Sequence, residues 1–518
     1  MATVRLISIP VTQPSDRHVD PDFLALPSGE LASAALDTAR RAGATHADFR
    51  IHKLTTQSLN LRDGVVQSAV DGSEIGLSVR VVVEGTWGFA SNSELSVAAA
   101  VATARAAVEV ATALRSLNRE RVELADEPVH SDVVWVSRYD VDPFDVPTRD
   151  KIDLLAEYSS RLGASDGVDH VTASVLQVKE QSFYADLAGS SITQQRVRLH
   201  PQLEATTVDA SAGAFETMRT LAPPVSRGWE YLGPDNTWDW SDELSRIPTW
   251  LAEKVTSPTV VAGPTDLVID PTNLWLTIHE SIGHATEYDR AIGYEAAYAG
   301  TSFATPDKLG TLKYGSESMH VTADRTEVHG LATTGYDDDG VEAQTWDLVR
   351  DGVLVGYQLD RVFAPRLGLE RSNGCSYADS AHHVPIQRMA NVSLQPDPDV
   401  DRSIDDLVAS VDDGIYVVGD KSWSIDMQRY NFQFTGQRFF RIKNGRLDGQ
   451  VRDVAYQATT TDFWGSMDLV GGASTRRLGG AFNCGKAQPG QVAAVSHGSP
   501  AAVFRGVNVL NTRSEAGQ

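Results

Sequence analysis

Cysteine is scarce in this 518-residue chain, which contains only Cys375 and Cys484. Small secreted domains that depend on disulfides are rich in cysteine, whereas a long chain with so few thiols is typical of a reducing compartment. The chain also lacks any run of 18 or more consecutive apolar residues, the length that a transmembrane helix needs. We therefore expect a cytoplasmic protein without a membrane span.

Basic residues are too few to balance the acidic ones. Lys and Arg number 45 against 69 Asp and Glu, which gives a formal net charge of −24 and a pI near 4.9. Such a surface repels nucleic-acid phosphates and anionic lipid headgroups. Nucleic acid and membrane surfaces are therefore not expected as partners.

The length of the chain predicts more than one domain, because a single hydrophobic core stops growing near about 250–300 residues. The clearest break in composition is rich in Pro and Gly and runs from Leu221 to Trp240. We predict four parts, with an N-terminal extension at 1–28, an α+β domain at 29–235, a C-terminal domain at 240–510 and a tail at 511–518.

Hydrophobic periodicity predicts an α+β fold. The N-terminal part shows helical patterns mixed with short strand-like runs separated by Gly- and Asp-rich turns, one of them at Asp71-Gly72. The C-terminal part is predicted to be β-rich, with hairpins turning at Asp351-Gly352 and Asn444-Gly445. The predicted N-terminal helices are Glu30–Ala42, Ser96–Leu114 and Lys151–Leu162.

The main candidate for chemistry is the run from His279 to His284, His-Glu-Ser-Ile-Gly-His, on a helix predicted from about Leu274 to Tyr288. Neutral imidazoles are good ligands for a divalent ion, and the adjacent Glu280 could take a proton from the attacking water. This pattern is typical of metal-dependent hydrolysis.

The spacing of the two histidines imposes a geometric condition. At about 100° per residue, a separation of five residues places His279 and His284 ~140° apart on a regular α-helix, too far to share one ion. We therefore predict a kink or a π-bulge at Ser281–Gly283, with Gly283 as the flexible point. On a regular helix the two histidines would only be polar side chains.

A catalytic zinc typically has three protein ligands, so the pair needs a third. Cys484 is the favoured residue, because its glycine-flanked segment is predicted to be an accessible loop in which Lys486 would favour the thiolate. The other residues considered are Glu287, His320, His329, His382, His383 and His497.

Several segments together resemble the TldD branch of the TldD/PmbA (TldE) family, whose members are metallopeptidases marked by a His-Glu-x-x-x-His run. The resemblance covers about nine tenths of the chain. It is carried by His279–His284, Asn483–Lys486, Val495–Pro500, Gly76–Arg80 and Gly85–Ala90.

This resemblance implies a zinc-dependent peptidase in which His279, His284 and Cys484 hold the metal and Glu280 is the general base. It also implies peptide substrates that bind in extended form, and a non-catalytic partner subunit of the TldE/PmbA type. Two alternatives remain. The chain could be a non-catalytic peptide-binding subunit with a structural metal, or another metal hydrolase such as a deamidase.

Overall fold

The computed structural model describes residues 17–209, 214–233 and 238–515. The first part of the predicted N-terminal extension, residues 234–237 of the predicted domain break, and the last three residues of the predicted tail lie outside the described residues.

The longer helices lie in the first half of the chain. The α-helices are α1 (Pro21–Leu24), α2 (Ser28–Arg41), α3 (Val97–Leu114), α4 (Thr148–Gly163), α5 (Trp240–Thr256), α6 (Pro271–Ile278), α7 (Tyr288–Ala291), α8 (Ile404–Ala409), α9 (Thr460–Gly465) and α10 (Thr512–Glu515). The three helices predicted in the N-terminal part correspond to α2, α3 and α4, with ends that differ by at most three residues.

Strands occur along the whole chain. They are β1 (His46–Arg62), β2 (Val65–Val83), β3 (Thr86–Asn92), β4 (Val133–Val136), β5 (His170–Asp186), β6 (Ser191–Asp209), β7 (Ala214–Arg219), β8 (Gly263–Ile269), β9 (Val321–Asp324), β10 (Thr345–Arg350), β11 (Val353–Leu354), β12 (Ser376–Tyr377), β13 (Ile386–Gln387), β14 (Asn391–Leu394), β15 (Asp413–Ile425), β16 (Asn431–Lys443), β17 (Arg446–Val451), β18 (Val454–Thr459), β19 (Met467–Val470), β20 (Arg477–Lys486), β21 (Gln491–Ser499) and β22 (Ala502–Asn511).

The first sheet has the order β3-β2-β1-β5-β6-β4, with β7 beside β6, and its strands are longer than the sequence predicts. The prediction of a turn at Asp71-Gly72 is wrong, because both residues lie within β2 and pair with Thr56 and Gln57 of β1. Since β1 pairs with β2 on one side and with β5 on the other, both of its edges are hydrogen-bonded from Asp48 to Arg62. Hydrogen bonding on both edges keeps the polar residues of this strand in extended structure.

Helix α3 packs on this sheet through a face of small residues. Ala100, Ala104 and Ala107 are fully buried there, and a side chain on Gly88 of β3 would collide with the Ala107 carbonyl. Among the described helices, α3 alone is long and apolar enough to cross a membrane. Its buried alanine face and its charged residues Arg105 and Glu109 are those of a helix that covers a sheet.

The second large sheet closes on itself and carries the catalytic candidate. Strands β15, β8, β22, β18 and β16 are neighbours in that order, and β16 also pairs with β15. Both predicted hairpins are confirmed. Asp351, Gly352, Asn444 and Gly445 all have positive φ, as a tight two-residue turn requires. Helix α6 follows β8 directly and packs against β15 and the β20–β21 hairpin.

The mixture of helices with two mostly antiparallel sheets confirms the predicted α+β class. Buried ion pairs join the two halves, since Arg80 of β2 contacts Asp339 at 2.5 Å and Arg50 of β1 contacts Asp338 at 2.5 Å. The domain limits 29–235 and 240–510 stay predictions.

Candidate metal centre

The helix that leads into His279 begins with an N-cap residue followed by a proline. The Asp270 side chain at the end of β8 accepts a hydrogen bond from Thr272 N at 3.0 Å, and Pro271 occupies the first helical position. Leu274 and Ile278 are fully buried and hold the helix against the core. The helix therefore starts at a defined residue, and the direction of its last turn is fixed.

The predicted distortion of this helix is confirmed. Residues His279–Gly283 form a π-helical segment, in which the His284 N–H donates to the carbonyl of His279 five residues earlier. The longer turn brings the two imidazoles onto one side, with ring centroids 4.6 Å apart. A regular α-helix would have separated them.

Side chains from other elements donate hydrogen bonds to the π-helical segment. The Tyr314 hydroxyl donates to the carbonyl of Ser281, and Gln358 Nε2 donates to that of Gly283 at 2.7 Å. Trp464 Nε1 donates to the Ser281 hydroxyl at 2.9 Å. These partners compensate for the ordinary helical bonds that the distortion removes.

Gly283 serves a different purpose from the predicted one. Its φ of −52° is ordinary helical backbone, so the position needs no special flexibility. A Cβ atom there would instead lie 2.5 Å from Met389 Sδ and 3.5 Å from His497 Cε1. Glycine therefore provides space for the side chains packed beneath the segment.

Cys484 reaches the two histidines from strand β20. The predicted loop is wrong, because this segment is a strand with a register shift between Ala481 and Cys484. The predicted accessibility of the thiol is also wrong, since Cys484 is only 4% exposed. A register shift of this kind re-aims a side chain within a paired strand, and here the Cys484 Sγ lies 3.4 Å from His284 Nε2.

His279, His284 and Cys484 thus form a compact donor set. Two ring nitrogens and one sulfur lie within 4.8 Å of one another, and all three residues are buried. Two imidazoles and one thiolate suit a borderline-soft divalent ion such as zinc and leave a fourth position for water or substrate. The residues therefore fit a metal of this class.

His497 orients His279 instead of joining the donor set. Its Nδ1 is 2.8 Å from the Val392 carbonyl, which can only accept, so this nitrogen carries the proton. Its Nε2 then accepts from His279 Nδ1 at 2.8 Å. The consequence is that Nε2 of His279 is unprotonated, which is the state that a metal ligand needs.

Glu287, another residue considered as a ligand, orients His284 in the same way. Its Oε2 is 2.8 Å from His284 Nδ1 and 3.0 Å from Arg290 Nε. Lys486 Nζ contacts Glu287 at 3.3 Å and Asp289 at 2.8 Å, so its predicted role beside the thiol is wrong. The lysine instead belongs to the ionic network that holds Glu287.

The surroundings of the site lower the pKa values of two of its imidazoles and of its thiol. Burial lowers the pKa of His279 and holds that of His497 well below its usual range. Burial raises the pKa of the Cys484 thiol, but the charge and hydrogen bond of His284 and the charge of Arg388 outweigh it and lower the pKa. The Arg388 guanidinium also donates to the Cys484 carbonyl.

Glu280 lies beside the donor set without belonging to it. Burial raises the pKa of its carboxyl, but the charges of His284, His279 and Arg429 outweigh this effect and lower it. Arg429 Nη1 donates to Glu280 Oε2 at 2.7 Å. Arg429 and Arg388 were not anticipated, since lone arginines far along the chain give no local signal.

The remaining histidines considered as ligands lie elsewhere in the described fold. They contact other residues: His320 with Asp351, His329 with the Ser226 carbonyl, His382 with Ser91 and His383 with Asp379. The structure therefore selects Cys484 from the candidates as the side chain that meets both histidines.

Comparison with known proteins finds metallopeptidase relatives. The family description "PmbA/TldA metallopeptidase C-terminal domain" matches residues 262–511, and "PmbA/TldA metallopeptidase domain 1" matches residues 47–111. A metalloprotease of Methanothermobacter thermautotrophicus is 30% identical over 467 residues, which cover 90% of this chain and 96% of the relative. A zinc metalloprotease TldD homolog of Saccharolobus solfataricus is 20% identical, over 89% of this chain and 96% of its own.

The fold agrees as well. The crystal structure of TldE from Thermococcus kodakarensis superposes with a TM-score of 0.68 at 15% identity, over 92% of this chain and 99% of that one. Taken together with the family matches across both halves, these similarities show that the chain belongs to the TldD/PmbA family of metallopeptidases.

Proposed function

We propose that this protein is a zinc-dependent peptidase that cleaves unfolded or short peptides bound in extended form. The observation that carries the proposal is the convergence of three buried donors from His279, His284 and Cys484 beside a carboxylate, Glu280, that is not one of them. A structural metal site would need no such carboxylate.

In this proposal Nε2 of His279, Nε2 of His284 and Sγ of Cys484 hold the ion. When bound, zinc polarises the scissile carbonyl and brings the pKa of water towards ~7. His497 and Glu287 keep both imidazoles in the tautomer that this binding needs, because each engages a ring Nδ1. Burial of all three donors limits competition from bulk water.

Glu280 is the general base. Its lowered pKa keeps the carboxylate ionised at neutral pH, as a proton acceptor must be. Arg429 donates to Oε2, and in this proposal Oε1 takes the proton from the attacking water. The same carboxyl can then pass that proton to the departing amine, so that both products leave with balanced charge.

Substitution of Glu280 tests this function directly. Glu280→Gln retains the size and hydrogen bonding of the side chain but cannot accept the proton, so we expect peptide cleavage to fall by about 10²-fold or more. The substrate is a mixed-peptide digest read by mass spectrometry, and zinc is measured by elemental analysis. Zinc should remain near one ion per chain.

Glu109→Gln, on the exposed face of α3, is the matched control and should cleave like the wild type. Undiminished cleavage by Glu280→Gln would refute the proposal. Release of ammonia from side-chain amides without backbone cleavage would instead identify a deamidase.

We also propose that the chain is the catalytic subunit of a cytoplasmic heterodimer with a TldE/PmbA-like partner. The shared fold of TldE supports a pairing of two similar subunits, and this chain has the donor residues that a catalytic subunit requires. Co-expression with a TldE-type protein of the same organism, followed by light scattering, should give a mass of one copy of each. Separate elution of the two proteins would contradict the pairing.

A further inference from the structure

The hairpin turn between β15 and β16 is built around an unusual backbone conformation. Arg429 has a φ of +61°, which side chains other than Gly, Asn and Asp rarely adopt. The Asp426 carboxylate fixes the turn by accepting from Gln428 N at 3.0 Å, Tyr430 N at 2.8 Å and Asn431 N at 3.0 Å. The turn therefore maintains an arginine at a position where glycine would be the relaxed choice.

Two other segments hold this turn in place. Thr301 N donates to the Met427 carbonyl at 2.6 Å, and Phe303 N donates to that of Gln428 at 2.9 Å. On the other side, the Thr460 hydroxyl donates to the Arg429 carbonyl at 2.8 Å. The position of Arg429 is thus determined by the chain around it and not by its own side chain.

The guanidinium of Arg429 is only partly used by the protein. Nη1 donates to Glu280 Oε2 at 2.7 Å and Nη2 to the Ala299 carbonyl at 3.2 Å. Its Nε is buried and has no hydrogen-bond partner among the described residues. Buried donors are normally satisfied. Other buried arginine nitrogens of the described residues also have no partner, Arg290 Nη2 and Arg388 Nε among them, but Arg429 is the one of these arginines that donates to Glu280, where a bound peptide would supply an acceptor.

We propose that Arg429 is a positioning residue for Glu280 and that its free Nε donates to a backbone carbonyl oxygen of the bound peptide. The inference rests on the proposed peptidase function and adds a residue to it. The contact with Oε2 fixes the direction of the Glu280 carboxylate. The same planar group would align the peptide with that oxygen.

Arginine is suited to both tasks because its guanidinium has five donors in a rigid plane, whereas the ammonium of lysine is a point charge. A lysine could still pair with Glu280, but it has no equivalent of Nε. The two functions can therefore be separated by substitution.

The experiment measures kcat and KM for a peptide that the wild-type chain cleaves, using zinc-loaded full-length Arg429→Ala and Arg429→Lys. We expect Arg429→Ala to lower kcat by about 10- to 100-fold and to raise KM, because both base orientation and peptide contact are lost. Arg429→Lys should recover most of kcat while KM stays raised. Added guanidinium ion, well below denaturing concentrations, should partly restore kcat of Arg429→Ala.

The matched control is Arg441→Ala, an exposed arginine near the far end of the same strand β16, which should match the wild type. Zinc content and Tm confirm that each variant is folded and loaded. A wild-type kcat in Arg429→Ala would overturn the positioning role, and full recovery of KM in Arg429→Lys would overturn the peptide contact. Absence of cleavage by the wild-type chain would instead refute the proposed function itself.

Discussion

The histidines of the metal centre have different roles, either as a donor to the metal or as a residue that orients a donor. The hydrogen-bond partner of the Nδ1 atom of each ring determines its role. His279 Nδ1 and His497 Nε2 are hydrogen-bonded at 2.8 Å, and His497 Nδ1 in turn donates to the Val392 carbonyl. This carbonyl therefore fixes the tautomers of both rings. The proton positions follow because the Val392 carbonyl can only accept a hydrogen bond. Second partners of this kind typically change metal affinity by 10- to 100-fold when they are removed.

His497→Phe tests this relation. The substitution keeps an aromatic ring but removes the acceptor for His279 Nδ1, so we expect zinc affinity to fall by about 10- to 100-fold. A competition titration with a chelator provides the measurement. His382→Phe is the control, since that side chain is exposed, is hydrogen-bonded to Ser91 and should leave the affinity unchanged. An unaltered affinity in His497→Phe would exclude the orienting role.

At the scale of the element, the π-helical segment depends on tight packing beneath Gly283. Met389 is only 2% exposed and fills the space that a side chain at position 283 would need. The segment is stable because Tyr314 and Gln358 accommodate its displaced carbonyls. A change in this packing should therefore affect zinc binding as well as folding.

Gly283→Ala should lower the free energy of unfolding by about 1–3 kcal/mol through overpacking and should reduce zinc content. Met389→Ala removes the obstructing side chain, so the double variant should lose less stability than the sum of the single variants. Urea denaturation measures the free energy of unfolding of the two single variants and the double variant. Gly465→Ala, where an added Cβ meets nothing within 4 Å, is the control. Additive losses would show that the collision does not limit the segment.

At the scale of the whole molecule, a buried ionic cluster of the first sheet is hydrogen-bonded to the half that contains the metal centre. Glu180 of β5 contacts Arg196 at 2.7 Å and also pairs with Arg198 and His52, while the Tyr377 hydroxyl of β12 donates to it at 3.3 Å. Burial raises the pKa of Glu180, but the charges of Arg196 and Arg198 outweigh it and hold the pKa well below 4.5.

The sign of this shift predicts how stability depends on pH. Because the folded-state pKa of Glu180 is depressed, its contribution is fully present above the unfolded value near 4.5 and is lost as pH falls towards the folded pKa. Glu180→Gln leaves buried arginines without their carboxylate and should cost about 3–5 kcal/mol at neutral pH. Urea denaturation from pH 7 to pH 4 should show this difference shrinking below about pH 4.5.

Glu84→Gln is the control for this series, since its ion pair with Arg115 is exposed and should contribute only about 0–1 kcal/mol. A difference between wild type and Glu180→Gln that stays constant through the acid range would contradict the depressed pKa.

The sequence by itself determined the α+β class, the hairpin turns and the need for a distorted helix at Ser281–Gly283. These features are local, because turn residues, periodicity and the five-residue separation of two histidines act within a few positions of the chain. The sequence favoured Cys484 as the third ligand, but it did so through an expected accessible loop that the structure does not contain, and the family resemblance pointed to the same residue.

The tertiary structure decided which side chains meet. It placed the Cys484 thiol on a buried strand instead of a loop, and it paired Lys486 with Glu287. It also brought Arg429 into contact with Glu280, which lies 149 residues away in the sequence. Two-sided strand pairing likewise overrode the turn signal at Asp71-Gly72. Contacts of this kind depend on how sheets close and hairpins dock, and these long-range arrangements have no signature in any short stretch of sequence.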